Sequence, residues 1–334
     1  MTSVESKPAA HPQIQGDKKP LLGGVLQRYS GLVLLAALIV LFSILLPETF
    51  PTIRTFRTLI ADQAITTILS LGLLVAYRAG AFDLSVAQGL GLAVILVSWL
   101  QSSHGLSVPM ATLLTLIVGA LVGAANGIAI AILNVNSFIA TLAMASILEA
   151  VIYGVSGGNQ IVGGIPQGFL SLGQAQYFGI PVVVIYMAVV AVIVWYVTEQ
   201  MPVGRRLQAV GSNTEASRLN GIRTARYIFG ALVASSILAS LAGVIFAAKI
   251  GSASLTAGAP YLLPAFAAIF LGSTQVHPGR ANVAGTLIAI ALLATGAKGL
   301  QLLGVPIWTS SLFNGAVLLS AVSIAQIRRS KSRS

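Results

Sequence analysis

Apolar stretches long enough to cross a bilayer recur along almost the whole of this 334-residue chain, and that recurrence leaves few ways to fold it. A helix needs roughly 17–25 apolar residues to span the hydrocarbon core. About ten runs follow one another on hydropathy: Tyr29–Leu46, Thr58–Ala76, Leu84–Leu100, Val108–Leu133, Phe138–Val155, Ile180–Val197, Tyr227–Ala248, Tyr261–Gly272, Val283–Ala297 and Ile307–Ile327. The eighth and ninth are short. No soluble domain of ordinary size fits between them. The fold class expected is therefore all-α, a polytopic bundle of about ten transmembrane helices. Composition agrees, with 56% hydrophobic and only 8% charged residues and a mean hydropathy of +0.91. Residues 1–28 read as a disordered cytoplasmic tail without the apolar centre of a signal peptide, 29–327 as the membrane domain and 328–334 as a basic cytoplasmic tail.

The net charge of +11 raises the question of nucleic acid, but its bases sit in short loops and tails, not on the face of a soluble domain. They set orientation instead. With both termini in the cytoplasm, the inside segments hold all 19 Lys and Arg except Arg54, Arg57, Lys249 and Lys298, as the positive-inside rule favours. The absence of cysteine excludes disulfides, thiolate metal sites and Cys nucleophiles.

Few side chains are equipped for chemistry. The eight acids and three histidines form no visible catalytic pair or metal cluster, with His104 in an expected external loop and His277 in an internal one. No G-x-x-x-x-G-K-[ST] loop occurs, so ATP is not bound by that device. Asp83 and Ser85 in "RAGAFDLSV" carry two readings: Asp83 caps the third span, or it belongs to a gate at membrane depth. Asp62 and Glu149 lie near other span ends and are open to proton coupling or to contact with water or a partner. Gly119, Gly123 and Gly127 recur at four-residue spacing, which lets a neighbouring helix approach closely. Asn126, Phe138, Thr141 and Pro264 are candidates for lining a path through the bundle. For Asn126 a helix–helix hydrogen bond is the alternative, and Pro264 marks the short eighth run as a discontinuous or re-entrant helix, tolerated only inside protein or beside a cavity.

One charged stretch interrupts the oil: "GRRLQAVGSNTEASRLNGI", residues 204–222. Ser212 and Glu215 have the spacing of a capping box, with Asn213 as a competing cap, so a helix is expected to start there and to stop at Gly221. Within it Glu215 and Arg218 pair at i,i+3, and Ala216, Leu219 and Ile222 offer an apolar edge. It is either a solvated loop, with Gly204 and Arg205 at its start, or a docking knob for a soluble partner.

Six blocks in order carry a family resemblance: "FDLSV" (82–86), "GAANGIAIA" (123–131), "SFIATLAMASI" (137–147), the 204–222 stretch, "ASLAGVI" (239–245) and "LGVPIW" (303–308). Over about 29–327 the chain resembles the permease subunits of ribose-type sugar ABC importers. It departs at Ala81-Phe82 and Ala87-Gln88, where the family usually has glycines beside "DLS", and at "LGSTQVHPGR", where Ser273 and Pro278 replace glycines. The resemblance implies a bacterial inner-membrane location and a coupling helix within the 198–226 loop, marked by Glu215, Ala216 and Gly221. It also implies three partners: a cytoplasmic ATPase subunit that binds the ATP, a periplasmic or lipid-anchored sugar-binding protein, and a second permease copy, identical or not. The chain itself would hold no cofactor and no metal. For the binding protein, the uncharged loop 156–169 with Asn159, Gln160 and Pro166 is the candidate contact, and a flexible connector is the plainer reading. The competing function is a stand-alone ion-coupled transporter built on Asp62, Asp83 and Glu149; an intramembrane enzyme has no constellation behind it.

Overall fold

The structure is a computed structural model describing residues 30–331, apart from residues 278 and 307 and the side chains of 321, 322 and 324–331. The expected tail over 1–28, Pro278 and the last residues 332–334 lie outside the described residues. The helices are α1 (Ser30–Leu45), α2 (Ile53–Arg78), α3 (Val86–Ser102), α4 (Val108–Gly127), α5 (Ser137–Ser156), α6 (Gln167–Gln174), α7 (Val182–Trp195), α8 (Pro202–Ser212), α9 (Thr214–Leu219), α10 (Thr224–Ile250), α11 (Leu262–Gly272), α12 (Val283–Leu302) and α13 (Trp308–Lys331). Single π-helical turns extend α4 over Ile128–Ile132 and α7 over Tyr196–Gln200. Among the described residues six helices, counting those extensions, are long and apolar enough to cross a membrane, and three apolar ones, Ser30–Leu45, Val86–Ser102 and Ala259–Gly272, are shorter. From Trp308 on, the tenth run lies within α13, which continues past Ile327 into the stretch read as a tail.

Centre and periphery follow from side-chain size and from which faces are covered. In α2 the most apolar window is 78% buried, with Ile65, Ile68, Leu69 and Leu74 inaccessible, whereas in α5 the figure is 17%. From Ala64 on, α2 is covered on all sides and has no need of a polar face, so Ala64–Ala76 holds only Thr66, Thr67 and Ser70 among its apolar residues, whereas the exposed first turns carry Arg54, Arg57 and Asp62. Beside it α10 is seated by glycine. A Cβ on Gly123 would lie 2.6 Å from Val233 Cα and 2.7 Å from the Leu232 oxygen, and one on Gly127 would lie 2.6 Å from the Phe229 ring. Gly119 faces Ser240 in the same seam. Small residues at one-turn spacing thus bring the α4 and α10 backbones together.

Two sets of loops mark the two ends of the bundle. At one end Arg78 meets Thr198, Glu199 and Ala281. At the other, β1 (Ile161–Val162) pairs antiparallel with β4 (Ser252–Ala253), and Lys249 binds Asp62. A second short ribbon, β2 (Gln176–Tyr177) with β3 (Ile180–Pro181), precedes α7. The 156–169 segment is therefore no plain flexible connector: it supplies β1 and the start of α6, whose Phe169 is fully buried and whose Gly173 abuts the Ala248 and Lys249 backbone.

The eighth run, expected to be discontinuous, is not interrupted: a 3-10 turn over Ala259–Tyr261 leads straight into α11, which continues to Gly272. Pro264 is the third residue of α11, one turn after the 3-10 start at Ala259, and the helix passes through it without a break. Residues 254–258 are non-helical, and Gly258 is packed so tightly on Ala87 and Gly91 of α3 that no side chain fits.

Candidate functional site

Between α2 and α3 the chain runs as a short strap over residues 79–85. Its first glycine, Gly80, has φ +83°, a conformation glycine adopts without strain. Side chains then alternate, with Phe82 and Leu84 on a cavity and Asp83 in the core. Asp83 is completely buried. Its Oδ1 accepts hydrogen bonds from the Ser85 backbone N–H (3.1 Å) and hydroxyl (2.6 Å), and its Oδ2 accepts from the Ser235 hydroxyl on α10 (2.9 Å). Asn126 of α4 donates to the Ser85 oxygen at 2.9 Å. The cap reading of Asp83 is thereby corrected. Ser85 holds the N-cap position of α3 without a side-chain cap bond, and Asp83, two residues earlier, ties α3 to α10 and, through Ser85, to α4. Asn126 takes the helix–helix role, not a path-lining one. Deleting the carboxylate strands three donors, so Asp83→Ala is expected to cost about 3 kcal/mol. Thermal unfolding in detergent should show the loss, with Asp83→Asn losing less.

Thr141 is likewise a brace. Fully buried, its hydroxyl donates to the Ser137 carbonyl (2.7 Å), with the Phe82 carbonyl sharing that one proton at 3.2 Å, and accepts from the Leu84 N–H (3.1 Å). Ser137 Oγ accepts from the Phe82 N–H at 3.2 Å. The first turn of α5, capped by Asn136, therefore holds the strap. Phe138 is the path candidate that reaches the cavity; Thr141 and Pro264 are not among its walls. That cavity, about 700 Å³, lies between the strap, the start of α5 and α11, with Phe82, Phe138, Phe266 and Phe270 on its walls. Phe82 stacks on Phe270 (6.4 Å) and meets Tyr77 edge-on (5.8 Å), and Phe266 stacks on Phe270 (6.2 Å).

At the strap's origin Arg78 is a clamp. Buried to 8% exposure, it donates to the Ala281 carbonyl (2.7 Å) and to that of Thr198, and lies 3.8 Å from Glu199. Glu199 in turn accepts the Val283 N–H at 2.8 Å, at the start of α12. The π-turn of α7 supplies the Thr198 carbonyl, and Gly204 fits against the same carbonyl from α8. A second, polar cavity of about 570 Å³ is lined here by Arg78, Glu199, Arg205, Gln208, His277 and Arg280 among others.

The 204–222 stretch forms two helices, α8 and α9. Asn213, not Ser212, caps α9, accepting from the Ala216 N–H at 2.9 Å. Ser212 closes α8, its hydroxyl bonded back to Gln208, so the capping box does not form and Glu215 is left to pair with Arg218 at 2.7 Å. Gly221, at φ +79°, follows Asn220 past the end of α9. Leu219 is 80% exposed, a large apolar side chain held outward by a short helix.

The other acids split. Asp62 pairs with Lys249 at 3.0 Å, while Glu149 points outward from α5. Asn159, Gln160 and Pro166 are all exposed at the β1–β4 end. Arg78 with Glu199 and the Gly80–Gly211 contact have no local signal in the sequence; of the aromatic wall, Phe138 is the one residue already singled out for a path, and the i,i+4 spacing of Phe266 and Phe270 marks two more.

A many-span helical bundle with a cavity beside a buried polar brace, and an exposed knob at one end, defines a membrane transport component. The family described as branched-chain amino acid transport system / permease component matches residues 56–322, and the chain belongs to it. Among its relatives, the ribose import permease protein of Bacillus subtilis (strain 168) is 34% identical over 312 residues, covering 93% of this chain and 96% of the relative. The ribose import permease protein of Escherichia coli (strain K12) is 32% identical, covering 90% and 94%. The D-allose transport system permease protein of the same strain is 27% identical, covering 93% and 95%. No solved structure matches the chain. As a member of this family the chain is a permease component and not an enzyme.

Proposed function

We propose that the chain is the membrane permease subunit of an ATP-driven ABC importer in the bacterial inner membrane, moving a sugar or related polyol delivered by a binding protein. The bundle crosses the membrane about ten times with both termini and α8–α9 on the cytoplasmic side, the orientation the basic loops favour. ATP is bound by a separate ATPase subunit, into whose groove α9 docks; the observation that carries this is Leu219, exposed at 80% on a helix of which Ser217 alone is buried. The exposed face of β1–β4, with Asn159, Gln160 and Pro166, meets the binding protein on the opposite side. Glu149 supports a second permease copy: a carboxylate facing outward from a membrane-spanning helix is costly against lipid and needs a partner surface or an aqueous path.

Function follows from alternating access. The cavity walled by Phe82, Phe138, Phe266 and Phe270 is part of the path, and its size suits one small solute. Movement of the ATPase subunits on binding and hydrolysing ATP shifts α8–α9, and the Arg78 clamp passes that shift to α2, α7 and α12 together. The pairing of Asp62 with Lys249 and the three-donor brace on Asp83 leave an ion-coupled mechanism without a free acid at those positions.

The test is uptake of D-ribose, D-allose and D-galactose into proteoliposomes holding this chain with its ATPase, binding protein added outside. Uptake of one of them that needs ATP and the binding protein is expected. Accumulation driven by a proton or sodium gradient without ATP would contradict the proposal.

A further inference from the structure

We infer that the Phe82 ring is the gate on the α8–α9 side of this cavity, and that the contact between Gly80 and Gly211 is what moves it. The inference rests on the importer reading above and adds to it a specific side chain and a specific route.

Phe82 is the strap's large side chain on the cavity, 37% exposed there, and it is packed against other rings and not against the polar brace. An apolar ring across a narrow path stops solute and water by leaving them no partner, and opens by a small displacement. What surrounds it is divided in mobility. On the Asp83 side the strap is fixed to α10 by the Ser235 hydroxyl and closed on itself by the two bonds from Ser85, the N-cap of α3. On the Phe82 side it is held to α5 by neutral bonds of 3.2 Å to Ser137 and Thr141. Asp83 is enclosed completely whereas Phe82 is 37% exposed on the cavity, so the Phe82 side has the room to yield first.

The origin of the strap lies against the coupling segment, backbone on backbone. A Cβ on Gly211, one residue before the end of α8, would overlap the Arg78 carbonyl oxygen and lie 2.8 Å from the Gly80 nitrogen. A Cβ on Gly80 would lie 3.1 Å from Gly211 Cα. Nothing compressible separates them. From Gly80 to Phe82 the chain reaches at most about 7 Å, and the φ of +83° at Gly80 lets the strap bend there. A shift of α9, which begins two residues after Ser212, therefore presses on Gly80 and turns the Phe82 ring within the cavity.

The chain has no native cysteine, so Phe82→Cys introduces a single thiol. In the reconstituted complex of permease, ATPase and binding protein, its alkylation rate by N-ethylmaleimide is measured without nucleotide and with ATP plus vanadate. The rates should differ roughly tenfold, and adding Gly211→Ala should hold them equal while ATP hydrolysis continues. Phe82→Ala in an otherwise native chain should raise leak of D-ribose from loaded vesicles roughly tenfold without ATP. A thiol rate that nucleotide leaves unchanged while the complex hydrolyses ATP overturns the inference, as does a Phe82→Ala complex that leaks no more than the native one. Should Gly211→Ala not assemble, Gly80→Ala strains the same contact from the strap side; a nucleotide-dependent rate as large as in the native background would then sink the proposed route. Failure of the importer reading itself shows earlier and differently, as a native chain that assembles with no ATPase.

Discussion

Gly258→Ala is expected to destabilise this bundle more than any other single added methyl. The Cβ would overlap the Ala87 carbonyl oxygen and lie 2.8 Å from its carbon and 3.1 Å from the Gly91 nitrogen. All three are backbone atoms of α3, and backbone cannot rotate out of the way as a side-chain tip does. The φ of −82° at Gly258 is open to any residue, so the effect isolates space from conformational freedom. Overpacking costs typically 1–3 kcal/mol and more where neither side yields, so a loss of about 3 kcal/mol or more is anticipated. A fall in the detergent melting midpoint and reduced recovery of folded protein are the readouts. Gly154→Ala on α5 is the control: nothing lies within 4 Å of its Cβ, and alanine favours helix over glycine by roughly 1 kcal/mol. Equal melting of Gly258→Ala and the native chain would mean that the non-helical segment does not lie against α3.

The second large effect is on partner binding. Leu219→Asp places a charge where the only large apolar side chain of α9 projects, and the helix itself should persist because Asn213 still caps it and Glu215 still pairs with Arg218. Central apolar anchors of an interface are worth roughly 2 kcal/mol or more on truncation, about thirtyfold in affinity, and a buried charge adds to that. Binding of the purified ATPase to detergent-solubilised permease should weaken by at least that factor while the melting midpoint stays close to native. Unchanged affinity would move the docking surface away from α9.

How much of this was legible in the sequence depends on the range of the interaction involved. Span positions came from composition over some twenty residues, and the helices of the structure overlap every run, because burial in lipid or protein selects apolar residues regardless of neighbours. The seam of Gly119, Gly123 and Gly127 was legible for the same reason: its signal is periodic. Asp83 was not. Two residues before a helix it has the pattern of a cap, and only Ser235, 152 positions away, shows that it serves as a brace. At Ser212 and Asn213 two local signals competed, and the winner was decided by α8 continuing through Ser212, whose hydroxyl then bonded back to Gln208. Pro264 has the signature of a helix breaker, yet the helix runs through it; the non-helical segment is 254–258, which ends at Gly258 against α3, a contact that local sequence cannot show. Arg78 looked like one more inside charge. Its clamp on Thr198, Glu199 and Ala281 joins segments more than a hundred residues apart, which spacing cannot encode.

We propose that this permease works through an ATPase held at α9. The most direct test is gentle purification of the native chain from its own membranes, with mass spectrometry of what accompanies it, beside Leu219→Asp expressed at the same level. An ATP-binding subunit present with the native chain and lost from the variant is the predicted result, and any second permease recovered alongside would distinguish a heterodimer from a homodimer. Intact, folded native chain that brings no ATPase through several mild detergents would contradict the claim.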